Sequence, residues 1–154
     1  MSSHASISGL QAPPAPPGRT VLLYDGVCAL CNFFVRFVLR QDRKSIFYFS
    51  PLQGDLARAI LTRHGVDIAS LDTVVLVSDL NTPHETLFFR SDAATEVLSR
   101  LGGGWALWGR LLRHLPRSFR DARYRLVARW RYRIFGRYAA CPLPALKDRG
   151  RFLS

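Results

Sequence analysis

Cys28 and Cys31, three residues apart and three residues after Asp25, are the side chains of this chain best suited to do chemistry. Cysteines at that spacing on a helix share a face and come within reach of a disulfide. The first turn of a helix carries unpaired backbone N–H groups and the positive end of the helix dipole. Both stabilise a thiolate, the reactive form of cysteine. The pair reads as a dithiol that exchanges with disulfides. Cys28, nearer the helix start and expected to be the more exposed, would attack, and Cys31, one turn deeper, would resolve the mixed disulfide. Asp25 has two readings: a proton acceptor or tuning group for the thiols, and an acceptor for backbone N–H groups at the helix start.

Such a site needs a strand to deliver it and a helix to hold it. Val21-Leu22-Leu23-Tyr24 is a short apolar strand running into Asp25. From Cys28 to Arg40 the apolar residues Leu30, Phe33, Phe34, Phe37 and Val38 follow helical spacing, with Asn32, Arg36 and Arg40 opposite. The three phenylalanines are expected in the core. Downstream, Ile46–Phe49 reads as a strand, Leu52–His64 as a helix ended by Gly65, and Asp72–Val77 as a β-branched central strand. Thr86–Arg90 reads as a further strand, and Ser91 as the cap of a helix from Asp92 to Leu101. The order β-α-β-α-β-β-α implies a right-handed crossover followed by a hairpin. The fold class expected is α/β: a thioredoxin-like sheet of about four strands with flanking helices.

Composition bounds the remainder. At 154 residues and 48% hydrophobic content, one domain with an ordinary core is expected. No stretch approaches the ~20 apolar residues that span a bilayer. Residues 1–19, with Pro13, Pro14, Pro16 and Pro17, read as a disordered leader without the apolar segment of a secretory signal. Three cysteines without an export signal point to a reducing compartment, taken as the cytoplasm. Residues 20–102 are expected to form the thioredoxin-like core, and 103–154 a basic helical extension packed on it.

That extension holds most of the formal charge of +11; between Arg100 and Arg137 lie eleven arginines and one acid, Asp121. Trp105 to His114 and Ser118 to Phe135 read as helices. In the second, Phe119, Ala122, Leu126, Trp130 and Ile134 form a stripe expected to bury against the sheet, leaving a solvated basic face. The competing reading is a binding module with a dormant dithiol, its Arg-rich helix on anionic lipid or nucleic acid; as a partner, a weak anionic surface contact is expected at most. A less favoured reading is zinc, with Cys141 and one of His64, His84 or His114 completing the Cys28/Cys31 pair. No cofactor or metal is expected.

The chain resembles the DCC family of thiol–disulfide oxidoreductase-like proteins. The resemblance rests on Asp25, Cys28, Cys31 and Asn32, on Phe49-Ser50-Pro51-Leu52-Gln53, on Ser91-Asp92-Ala93-Ala94, on Arg120-Asp121 and on Tyr132 to Arg137. It covers nearly everything from Thr20 to Leu153, and it implies a thioredoxin-like fold and disulfide exchange through Cys28 and Cys31. A protein or small-molecule disulfide would be the substrate, and an upstream thiol the reductant. The thioredoxin cis-proline has no counterpart near Leu71-Asp72-Thr73, and Pro51 is not assigned that role.

Overall fold

A computed structural model describes residues 17–71, 74–139 and 144–153. The leader up to Pro16, Asp72, Thr73 and Cys141 lie outside the described residues. Four strands form one mixed sheet: β1 (Thr20–Tyr24), β2 (Phe47–Pro51), β3 (Val75–Ser78) and β4 (Thr86–Phe89), in the order β2-β1-β3-β4. β1 and β2 pair in parallel across the helix α1 (Ala29–Gln41), and β3 runs antiparallel to both β1 and β4. This is the thioredoxin-like arrangement. It leaves the C-terminal end of the central strand β1 to launch the Cys28–Cys31 turn.

Alternation along β1 divides the core between the two sheet faces. Leu22 and Tyr24 pack with Val35 and Val38 of α1, Phe49, Leu76 and Val97. Val21 and Leu23 pack with Leu56, Ile60 and Leu61 of α2 (Asp55–Arg63) and with Val75 and Val77. The first face also carries α3 (Arg90–Leu101), α4 (Gly103–His114) and α5 (Arg117–Phe135). A 3-10 turn at Leu146–Arg151 brings Phe152 beside Phe49 at the open edge of β2.

Two expectations about helix faces and one about a helix cap are corrected. In α1 the buried row is Cys31, Asn32, Val35 and Val38; Phe34 and Phe37 pack only partly, and Phe33 is 65% exposed. Phe33 lies two residues, some 200° of helical turn, from both Cys31 and Val35, so it points away from the sheet they face. Asn32, expected on the solvent side, is buried because its amide has backbone carbonyls to bind inside. At α3 the chain turns straight from β4 into the helix through Arg90 (φ 51°), so Ser91 is not its cap; the Ser91 hydroxyl donates to Asp121 of α5.

The largest correction is α5. Its apolar stripe faces outward: Phe119, Leu126, Trp130 and Ile134 are all exposed. The inward side carries Arg120, Asp121, Tyr124, Ala128 and Arg131. Directional bonds fix this rotation. Arg120 pairs with Asp92 at 3.3 Å, Tyr124 Oη accepts the Val74 N–H at 3.1 Å, and Arg131 meets Asp25 at 3.6 Å. Polar partners available inside outweigh an apolar stripe that has no apolar seat opposite it.

α3 and α4 cross closely because Gly109 has no side chain. A Cβ there would stand 2.6 Å from Ser99 Oγ and 2.8 Å from the Ser99 backbone nitrogen. Gly109→Ala is therefore expected to force the helices apart and cost about 1–3 kcal/mol, despite the better helix propensity of alanine. Thermal denaturation checks this; an unchanged or raised midpoint would contradict the close crossing.

Candidate active site at the start of α1

After Tyr24 the chain turns through Asp25-Gly26-Val27, and Cys28 becomes the N-cap of α1, with an extended backbone at φ −81° and ψ 122°. The turn closes with the Cys28 N–H donating to the Asp25 carbonyl at 3.2 Å. In place of the usual hydroxyl or carboxylate, a sulfur does the capping: Cys28 Sγ accepts the Cys31 N–H at 3.4 Å. Asn32 braces the turn from below, its amide donating to the Gly26 carbonyl at 2.8 Å and the Cys28 carbonyl at 2.9 Å.

Asp25 is the hub of the surrounding polar groups. Its Oδ1 accepts the Val27 N–H at 3.1 Å and the Gln53 amide at 3.0 Å; its Oδ2 accepts the Tyr132 hydroxyl and lies 3.6 Å from the Arg131 guanidinium. Gln53 also accepts the Gly26 N–H at 3.2 Å, so one side chain grips both sides of the turn. Burial pushes the Asp25 carboxyl up. Donation from Tyr132, Gln53 and the Val27 N–H, with the Arg131 charge, outweighs it and holds the carboxyl below its ordinary range. Asp25 is thus a carboxylate at neutral pH and a weak base.

Both cysteines are buried thiols, not joined in a disulfide. The expectation that Cys28 is the more exposed is corrected: Cys28 is 0% exposed and Cys31 6%. The segment after α5 covers Cys28. Its Gly136 carbonyl accepts the Ala29 N–H at 3.4 Å, and its Tyr138 N–H donates to the Val27 carbonyl at 2.7 Å. Arg137 therefore pairs antiparallel with Cys28, like a short strand laid over the turn. Cys31 instead lines an apolar cleft of about 170 Å³ between α1, α3 and α5, with Leu30, Phe34, Val127 and Arg131.

Electrostatics separate the thiol from its surroundings. Burial, then the neighbouring Cys28, pushes the Cys31 thiol up to about 12, so it is protonated at neutral pH. Arg131 is 5% exposed. Burial opposes its charge, but Cys31, Tyr132 and Cys28 in their ionised forms, together with the Asp25 carboxylate, push its pKa up. Its guanidinium stacks 4.7 Å from the Tyr132 ring centre. Gln53, Arg131 and Tyr132 are the site residues that periodicity alone does not single out. The segments Phe49–Gln53 and Tyr132–Arg137, which carry the family resemblance, are the signal for two of them. Among the described residues, no group of three or more His, Cys, Asp or Glu side chains is placed to hold a metal ion.

The profile of the DCC1-like thiol-disulfide oxidoreductase family matches residues 22–137, three quarters of the chain. The chain belongs to this family. It is 34% identical over 137 residues to the uncharacterized protein YuxK of Bacillus subtilis (strain 168), a match covering 89% of this chain and 95% of that protein. It is 32% identical over 125 residues to a chloroplastic DCC family protein of Arabidopsis thaliana, covering 81% and 70% respectively. No solved structure matches significantly. The matched region runs from β1 to Arg137, the residue that pairs with Cys28.

The raised Cys31 thiol has a consequence for stability. An unfolded cysteine ionises near 9.0, the folded one near 12. Between those values the unfolded chain has lost a proton that the folded chain keeps, so stability present below pH 9.0 falls as pH rises towards 12. Tyr132, raised by burial and by its bond to Asp25, acts in the same direction. Denaturation midpoints of reduced protein should drop across this alkaline window, and the drop should be shallower in Cys31→Ala. Parallel curves for the two proteins would show that Cys31 is not held protonated.

Proposed function

We propose that this DCC family member is a disulfide reductase acting on protein or small-molecule disulfides through Cys28 and Cys31. The observation that carries the reading is the Cys31 N–H aimed at Cys28 Sγ at 3.4 Å, on the first turn of α1. A thiolate at Cys28 would keep that bond, gain the helix dipole and face the buried positive charge of Arg131. Cys31, held protonated by burial, suits the second step and not the first.

In the first step the Cys28 thiolate attacks one sulfur of the substrate disulfide. The S–S bond breaks, the other sulfur leaves as a thiolate, and a mixed disulfide forms at Cys28. In the second, Cys31 attacks Cys28 Sγ. The Cys31 proton passes to the departing substrate thiolate, and the Cys28–Cys31 disulfide closes. Two electrons have moved from the dithiol to the substrate, and an upstream thiol or dithiol returns them. Asp25, a weak base, acts here as a fixed charge that positions the turn and orients Arg131 and Tyr132. Buried thiols of this kind fit a reducing compartment such as the cytoplasm.

Because Cys28 is covered, the Gly136–Tyr138 strap must swing aside before exchange. Tyr138→Pro removes the N–H that bonds Val27, while Tyr138→Ala keeps it. Alkylation of Cys28 should be faster in the proline variant than in the alanine variant; equal rates would mean the strap does not gate access. The reaction itself is tested by serine exchange. Cys28→Ser should abolish turnover of a small disulfide, and Cys31→Ser should accumulate a mixed disulfide at Cys28, visible by mass spectrometry. A trapped adduct on Cys31 in Cys28→Ser, with turnover retained, would overturn the assignment.

A further inference from the structure

The outward face of α5 offers two chemistries side by side. Leu126, Trp130 and Ile134 recur every four residues and are exposed, Leu126 at 60% and Ile134 at 69%. Arg125, Arg129 and Arg133 recur at the same interval as the adjoining row and are exposed too. Arg133 lies over the Trp130 ring at 5.3 Å, so the two rows form one surface. At the corner with α4, Leu115, Phe119 and Val127 line a groove of about 270 Å³, and Trp108 on α4 is exposed.

We propose that this α4–α5 face docks on an anionic membrane surface, with α5 lying in the headgroup plane. Leu126, Trp130 and Ile134 would enter the acyl boundary, and the arginines would meet lipid phosphates. Charge selects this occupant. A second copy would bring another chain of formal charge +11 against the same arginine row. A nucleic acid would satisfy the arginines and leave the apolar row in water. An anionic bilayer satisfies both rows, and tryptophan and arginine are residues that bridge an apolar phase and water. No helix among the described residues is long and apolar enough to cross a membrane, so the contact is peripheral. The docking does not depend on the dithiol chemistry.

The test is flotation of the full reduced chain with phosphatidylcholine vesicles, with and without phosphatidylglycerol, at physiological ionic strength. Recovery is expected with the anionic vesicles and not with phosphatidylcholine alone. Leu126→Ser/Ile134→Ser and Arg125→Gln/Arg129→Gln should each lower partitioning by about tenfold or more. Circular dichroism and exchange with a small disulfide should be unchanged in both. Quenching of tryptophan emission by bromine-labelled acyl chains in the unaltered protein gives the answer without substitution. Four results would overturn the proposal: no flotation at physiological salt; flotation indifferent to the serine pair; a dimer in light scattering that the serine pair abolishes; or duplex DNA bound more tightly than the anionic vesicles.

Discussion

A single buried carboxylate ties the Cys28–Cys31 turn to the distant helix α5. Asp25 takes donors from its own turn, from the segment after β2, and from α5, more than a hundred residues away. A buried charge is costly unless its hydrogen bonds and counter-charge are complete. The chain must therefore bring Gln53, Arg131 and Tyr132 to one place or leave Asp25 unsatisfied. This need, more than any apolar contact, sets where α5 lies and how it is rotated about its own axis.

The rotation has two effects on the chemistry. Arg131 is carried to the inner side of the site, where its charge sits near both thiols. The residues just beyond α5 are carried across the turn, where their backbone pairs with Val27 and Ala29 and shields Cys28 from solvent. A positive charge lies near the sulfur and a cover lies above it: the proposed exchange draws on the first and requires the second to move. The same rotation sends the apolar stripe of α5 outward, beside its arginines.

The sheet was legible in the sequence because its signals are local. Four apolar runs, a glycine after the second helix and the position of the dithiol after β1 suffice to order the elements. The Cys28–Cys31 pair was legible for the same reason, since its spacing and the adjoining helix are read from one short stretch. What was not legible depends on partners remote in sequence. Phe33 is apolar and at a helical interval, yet faces away from the sheet; Asn32 is polar, yet finds two carbonyls inside. The α5 stripe has correct periodicity, but its facing surface offers Asp92, the Val74 N–H and Asp25, which arginine and tyrosine satisfy and leucine does not. Periodicity identifies a helix with an apolar face without saying whether the fold has a seat for that face.

The closing of the β2 edge by Phe152 bears on how the chain is made. Leu153 donates to the Phe49 carbonyl at 2.7 Å, and Arg151 donates to the Phe47 carbonyl at 3.0 Å across 104 residues of chain. During synthesis β1, α1 and β2 emerge and can associate as a local unit well before Arg151, 104 residues after Phe47, and the neighbours that cover the β2 edge are translated. For that interval the nascent chain displays an unpaired apolar strand edge, the kind of surface on which chains add to one another. Ribosome-bound fragments ending before Arg151 are the vulnerable species, and crowding by neighbouring nascent chains, more than the equilibrium stability of the finished domain, would govern its yield.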